Sequence, residues 1–231
     1  MIDFTLWDQL LQKYVKNAQV DYAGWKKESL PLLDQWLLTT QSVSLDSLDS
    51  AAGIAFLLNL YNALTIRQVL QKYPIESIRP TVLGVPNMVS FLQFFKQSVH
   101  TLNGQRLSLD NIEHDILRAR YDESRIHFAL VCASQGCPGL RSNAYRPDKL
   151  DAQLAEDAKT FITNPNKVRY EPTSQTLYCS KIFKWYAEDF LAKADSVVSY
   201  IQPYLNVPLP ATVRIEYLSY SWQLNDQRMS S

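Results

Sequence analysis

One histidine and two cysteines fall within eleven residues in the stretch Ile126-His127-Phe128-Ala129-Leu130-Val131-Cys132-Ala133-Ser134-Gln135-Gly136-Cys137-Pro138. Cysteine reacts as its thiolate, so a nucleophilic cysteine needs a lowered pKa and a base within hydrogen-bond reach. His127 with either thiol is the first dyad to consider. On a strand, residues 127 and 132 face opposite sides with about 17 Å of rise between them, which makes Cys132 a buried core thiol. Cys137 follows a glycine-containing turn and precedes Pro138, the pattern of a helix N-cap with proline at the first helical position. Helix amides, with Arg141 four residues on, would then favour the thiolate. Reaching His127 from there requires the chain to double back almost fully after Cys132, which leaves His114 as a second candidate base. The two cysteines have two other uses: a small disulfide loop, or a share in a zinc site with a histidine and Glu113. The spacing matches no finger or ribbon pattern, so no metal is expected.

Glu113 adds a carboxylate. On a helical wheel of about 100° per residue it lies inside the apolar stripe of Ile112, Ile116 and Leu117, with Arg118 on the opposite face. A carboxylate so placed must find a cation or donors, or keep its proton as a general acid does. Asn59 and Asn62 share one face of an otherwise apolar helix. An unpaired buried amide costs about 1–3 kcal/mol, so each must bond either to the fold or to a substrate. The thiol reading makes Cys137 the nucleophile, His127 the base and Glu113 an orienting or acid group. Asn59, Asn62 and Arg141 then bind substrate. The rival reading is a non-catalytic binding or scaffold domain in which these polar residues form a buried network.

Other chemistries lose their usual support: there is no phosphate-binding glycine loop, G-x-S-x-G elbow or H-E-x-x-H helix. The 23 basic and 23 acidic side chains cancel, which removes any global attraction to nucleic acid or anionic membranes. With 46% hydrophobic and 12% aromatic residues in 231, the chain is long enough for a well-filled core without metal or disulfide. Its start, Met1-Ile2-Asp3-Phe4, lacks a secretion-signal pattern. Its longest apolar stretch, 50–66, is interrupted by Asn59, Tyr61, Asn62 and Thr65 and falls short of a membrane span. Three cysteines, Cys132, Cys137 and Cys179, are an odd count that suits a reducing compartment. The expectation is a soluble cytoplasmic protein without cofactor, acting on an unidentified small molecule or peptide.

The elements that must position these groups follow from pattern. Asp3 caps a helix through Leu6, Leu10, Leu11 and Val15, and 30–38 reads as a second helix with Pro31 in its first turn. Residues 48–73 favour a long helix that is apolar nearly all round, a buried central helix. Residues 94–107 read as a hairpin turning at Asn103-Gly104, and Ser108 caps a helix to about Arg118. Residues 126–132 read as an interior strand. A helix over 148–163, a hairpin from 168–171 and 176–180, two helical stretches over 183–205 and a strand at 213–218 complete the chain. Helices first and hairpins later, without strand–helix alternation, indicate an α+β fold: a helix-rich N-terminal half whose long central helix packs on a small, mostly antiparallel sheet. No linker or repeat divides it, so 1–231 reads as a single domain.

Several of these stretches resemble a known family. Phe56-Leu57-Leu58-Asn59-Leu60-Tyr61-Asn62-Ala63-Leu64, Leu107-Ser108-Leu109-Asp110-Asn111-Ile112-Glu113-His114 with Leu117-Arg118, and the run from His127 to Cys137-Pro138 are similar to the "domain of unknown function 547" of bacteria and plants. So are Phe183-Lys184-Trp185-Tyr186 with Asp189-Phe190, and the closing Trp222-Gln223-Leu224-Asn225. The resemblance runs over about 55–225, with helices in 3–40 packed on that region. It implies a single-domain fold and transfers no reaction. The Asn-Leu-Tyr-Asn helix followed by His-Phe also resembles the transglutaminase and papain-like architecture, in which a helix-borne cysteine meets a strand-borne histidine. Here the helix carries Asn59 and Asn62 and no cysteine.

Overall fold

A computed structural model describes residues 2–83 and 85–229. The N-terminal part is built mainly from helices. The Asp3 carboxylate accepts from the Thr5 amide at 2.8 Å at the start of helix α1, Thr5–Tyr14, which buries Trp7, Leu10, Leu11 and Tyr14. A short hairpin, β1 (Val15–Lys16) with β2 (Gln19–Val20), turns through Asn17 and Ala18, both at positive φ. Helix α2 follows at Tyr22–Thr40 and is capped by Asp21, which accepts from the Gly24 amide at 2.9 Å. A Cβ at Gly24 would stand 2.3 Å from that carboxylate, so the cap needs glycine. Helix α2 thus begins well before Leu30 and runs through Pro31. Pro31 is exposed, and water can take the carbonyl it leaves unpaired.

The expected central helix is α3, Ser50–Lys72, capped by Asp49 and buried almost continuously from Gly53 to Leu70. It packs along α2. Trp7, Trp25 and Trp36 fill the layer beneath, with ring centroids 5.5–5.9 Å apart. After a hairpin of β3 (Thr81–Val82) and β4 (Val85–Pro86), Asn87 caps helix α4, Met88–Lys96. Residues 94–96 are therefore helical, and the expected hairpin is confined to β5 (His100–Leu102) and β6 (Gln105–Leu107). Its turn is as the sequence demands, with φ of 46° at Asn103 and 80° at Gly104.

The helix after Ser108 forms, but Asn111–Arg118 is wound as a π-helix. The expected strand at 126–132 does not form: Ser124–Phe128 is a 3-10 helix and the following residues have no strand beside them. The Asn62 side chain takes the place of a strand partner, donating to the Ala129 carbonyl and accepting from the Val131 amide, both at 3.0 Å.

Beyond helix α5, Leu150–Ile162, lies a three-stranded sheet in the order β7 (Val168–Glu171), β8 (Thr176–Cys179), β9 (Arg214–Tyr217). The first pair is antiparallel and the second parallel. Short helices α6 (Ile182–Trp185), α7 (Ala187–Leu191) and α8 (Val197–Ile201) fill the long connection. This is an α+β fold. Apolar side chains form a large cluster around α3 and a smaller one around Phe128, Phe161, Phe183 and Phe190. Residues 225–226 tie back to the N-terminal part: Val20 donates to the Asn225 carbonyl at 2.9 Å, and the Tyr22 and Tyr73 hydroxyls donate to Asn225 and Asp226 at 2.7 Å. No described helix is long and apolar enough to cross a membrane.

Candidate functional site

The loop from Cys132 to Cys137 doubles back. Ala133 takes φ of 60°, and Gln135 and Gly136 donate to the carbonyls of Gln223 and Ser221 at 2.8 and 2.9 Å. A Cβ at Gly136 would lie 2.7 Å from the Ser221 carbonyl and from the Tyr220 ring, so the close approach of the two segments requires glycine. Lys167 holds the loop from the other side, its ammonium donating to the Gln135 and Cys137 carbonyls at 2.6 and 3.0 Å. Burial pulls the Lys167 pKa down to about 8.

Cys132 and Cys137 are joined as a disulfide. Cys132 is half-buried and bonded, not the core thiol expected from a strand, while the free, buried cysteine is Cys179. No helix follows Pro138, so Cys137 is not a helix cap. Its sulfur is instead surrounded by donors: the Cys132 amide at 2.9 Å, the Tyr220 hydroxyl at 3.3 Å and the Ser134 hydroxyl at 3.4 Å.

His127 is buried, its ring stacked on Tyr186 with centroids 3.8 Å apart. Its Nε2 lies 2.6 Å from Asp189 Oδ2. Arg118 grips the same carboxylate with two bonds, Nε at 2.6 Å and Nη2 at 2.8 Å. Bonds from Arg118 and then His127 hold the Asp189 carboxyl well below the usual carboxylate range. An ionised Asp189 fixes the proton on Nε2 and leaves Nδ1 as the basic nitrogen. Among the described residues, Nδ1 has no hydrogen-bond partner. Glu113 is buried on the π-helix and accepts from the Tyr61 hydroxyl at 3.2 Å. Burial, reinforced by the Glu113 charge, pushes the Tyr61 and Tyr186 phenols upward, so both remain proton donors around that carboxylate. π-helical turns occur disproportionately at functional sites.

Glu113, His127, both loop cysteines, Tyr61, Tyr186 and Tyr220 line one cavity of about 380 Å³, with His114 at its edge. His114 pairs through Nδ1 with Arg118 at 3.0 Å. The structure does not bring the other three candidates to this cavity. Asn59 spends its amide on the Ala55 and Tyr145 carbonyls, the Tyr145 amide and the Trp7 indole, at 2.8–3.1 Å. Asn62 holds the 129–131 segment. Arg141 pairs with Glu156 and Asp157 at 2.6 Å beside a second cavity of about 520 Å³. Asp189, Tyr220 and Lys167 were invisible to local pattern, because they lie 62, 83 and 30 residues from the groups they serve. Among the described residues no group of three metal-ligating side chains comes together.

The family model described as "Protein of unknown function, DUF547" matches residues 45–162, just over half of the chain. The chain belongs to this family. The matched region takes in α3, the π-helix, His127 and the disulfide loop, whereas Asp189 and Tyr220 lie beyond it. No curated protein and no solved structure matches the chain.

Proposed function

We propose that this DUF547 protein is a thiol-dependent acyl transferase or hydrolase whose working form is the reduced one. The observation that carries the proposal is the His127–Asp189–Arg118 relay, whose histidine lines the same cavity as both sulfurs. A dithiol reductant supplies two electrons and two protons, converts Cys132–Cys137 to two thiols and leaves as its own disulfide. His127 Nδ1 then takes the Cys137 proton. The thiolate is stabilised by the Tyr220 and Ser134 hydroxyls and the Cys132 amide. It attacks an acyl carbonyl, the S–C bond forms, and the bond to the leaving group breaks as His127 returns the proton to that group. Water or another acceptor reverses these transfers and frees the thiolate. Glu113, with Tyr61, orients or protonates the substrate. The similarity to papain-like and transglutaminase sites is supported only by this cysteine, histidine and carboxylate set.

A second reading, a non-catalytic domain with a structural polar network, is favoured by the fully engaged amide of Asn59 and by the two backbone bonds of Asn62. Iodoacetamide alkylation of the reduced native protein across about pH 5–9, resolved by mass spectrometry at each cysteine, separates the two. Cys137 reacting fastest, with an apparent pKa below the free-thiol value of about 8.5, supports the thiol enzyme. A Cys137 no more reactive than Cys132 and Cys179 supports the scaffold and ends the proposal.

A further inference from the structure

The cavity is two-ended. Its reactive end holds Glu113, His127 and the sulfurs, while Phe91, Phe95, Leu130, Ile182, Trp185 and Trp222 make most of the remaining wall, with Lys96 and Asp110 as its charged members. Leu92 and Trp185 line it and are also 48% and 47% exposed, so they form its mouth. That mouth is continuous with apolar surface. Along the hairpin and helix of 81–96, Leu83, Val85, Met88 and Val89 stand out in water, Leu83 at 99% exposure, and no charged residue occurs between Arg79 and Lys96. Isolated exposed apolar side chains are ordinary, but a cluster leading into a concave apolar site marks a ligand path.

We infer that the acyl group handled here is an alkyl chain, which enters over Leu92 and lies against the aromatic wall with its carbonyl at the His127–Cys137 end. The inference rests on the thiol-enzyme reading for the identity of the reactive end. The two ends of the cavity ask for different chemistry, and a fatty acyl derivative supplies both: a polar carbonyl group and an uncharged chain. A polar peptide would leave its amides unpaired against Phe91, Phe95 and Trp222. A volume of about 380 Å³ is at the small end of the range for ligand sites, suited to one chain of moderate length.

The wall carries its own reporter, since Trp185 and Trp222 line the cavity and the other tryptophans, Trp7, Trp25 and Trp36, are core residues. Tryptophan emission of the full chain is titrated with acetate, hexanoate, octanoate and decanoate, each below its micellar concentration, for the parent and for Leu92→Asp. The expected result is affinity rising about threefold to fourfold per added methylene up to the length the cavity holds. Leu92→Asp should lower decanoate affinity at least tenfold with far-ultraviolet circular dichroism unchanged. Affinity independent of chain length overturns the inference, as does a Leu92→Asp variant that binds like the parent. If Leu92→Asp does not fold, Leu92→Ser provides the same comparison at the same position of the mouth. Binding is measured with the disulfide intact and again with Cys137→Ser, so chain recognition without thiol reactivity in the alkylation experiment refutes the reaction and leaves the alkyl site standing.

Discussion

Asn62 and Asp189 show how single side chains hold this site. Asn62 donates one hydrogen bond to, and accepts one from, backbone that has no strand neighbour, so Asn62→Ala leaves the Ala129 carbonyl and Val131 amide unpaired in a buried setting. The expected loss is about 1–3 kcal/mol in urea unfolding. Asp189 acts on the imidazole. In Asp189→Asn the Nε2 proton is no longer fixed by an anion, and Arg118 loses its carboxylate partner. The apparent pKa of reduced Cys137 should rise toward the free-thiol value, with alkylation at pH 7 slowed at least tenfold, while Cys179 stays inert because burial pushes its thiol up to about 12. Unchanged alkylation in Asp189→Asn would refute the relay. Both residues act over long sequence separations, and neither advertises its role by type alone.

At the scale of elements, the β5–β6 hairpin is held to the end of α2 by His100. Thr40 Oγ1 donates to the Leu37 carbonyl at 2.7 Å and lies 3.0 Å from His100 Nε2, so Nε2 is the donor in that second bond. Burial, then the nearby Arg67 charge, lowers the His100 pKa to about 4. Between pH about 6.5, where an unfolded histidine titrates, and about 4, the unfolded chain takes up a proton that the folded chain refuses. Stability is therefore lost as pH falls through this window. The stability difference between the parent and His100→Gln should shrink from pH 7 to pH 4.5 in urea titrations. A difference constant across that range would contradict the assignment. The π-helix is the other decisive element. Winding Asn111–Arg118 more widely places Glu113 among the cavity tyrosines and turns Arg118 to Asp189, so one helix serves both the carboxylate and the relay.

At the scale of the whole molecule, residues 220–226 knit the site to the rest. The 220–225 segment pins the disulfide loop, and its continuation locks onto β2, Tyr22 and Tyr73. Asp226 is buried and accepts from Tyr73, and burial raises its carboxyl above the usual range. Asp226→Ala should cost about 1–3 kcal/mol. Combined with Tyr73→Phe it should cost less than the sum of the two, because each single change breaks the same bond. Additive losses would mean that the bond does not couple these segments. Loosening this closure should also speed reduction of Cys132–Cys137, since Ser221 and Gln223 hold the loop.

Local chemistry was legible in the amino-acid order. The buried central helix, the Asn103-Gly104 turn, the helix after Ser108 and the burial of Glu113 all follow from periodicity, capping and positive φ, whose causes lie within a few residues. The α+β class followed from their order, and the family from motifs along the chain. The strand expected at 126–132 failed because a strand is defined by its neighbour, and here the neighbour is one asparagine 67 and 69 residues away. The helix cap expected at Cys137 failed for the same kind of reason: contacts with 221–223 and Lys167 set that loop's path. Tertiary structure alone decided that His127 faces Asp189, that the cysteines meet, and that Asn59, Asn62 and Arg141 stand outside the cavity. Such hydrogen bonds are made only once burial has brought distant segments together, and residue type does not specify which partner burial will supply.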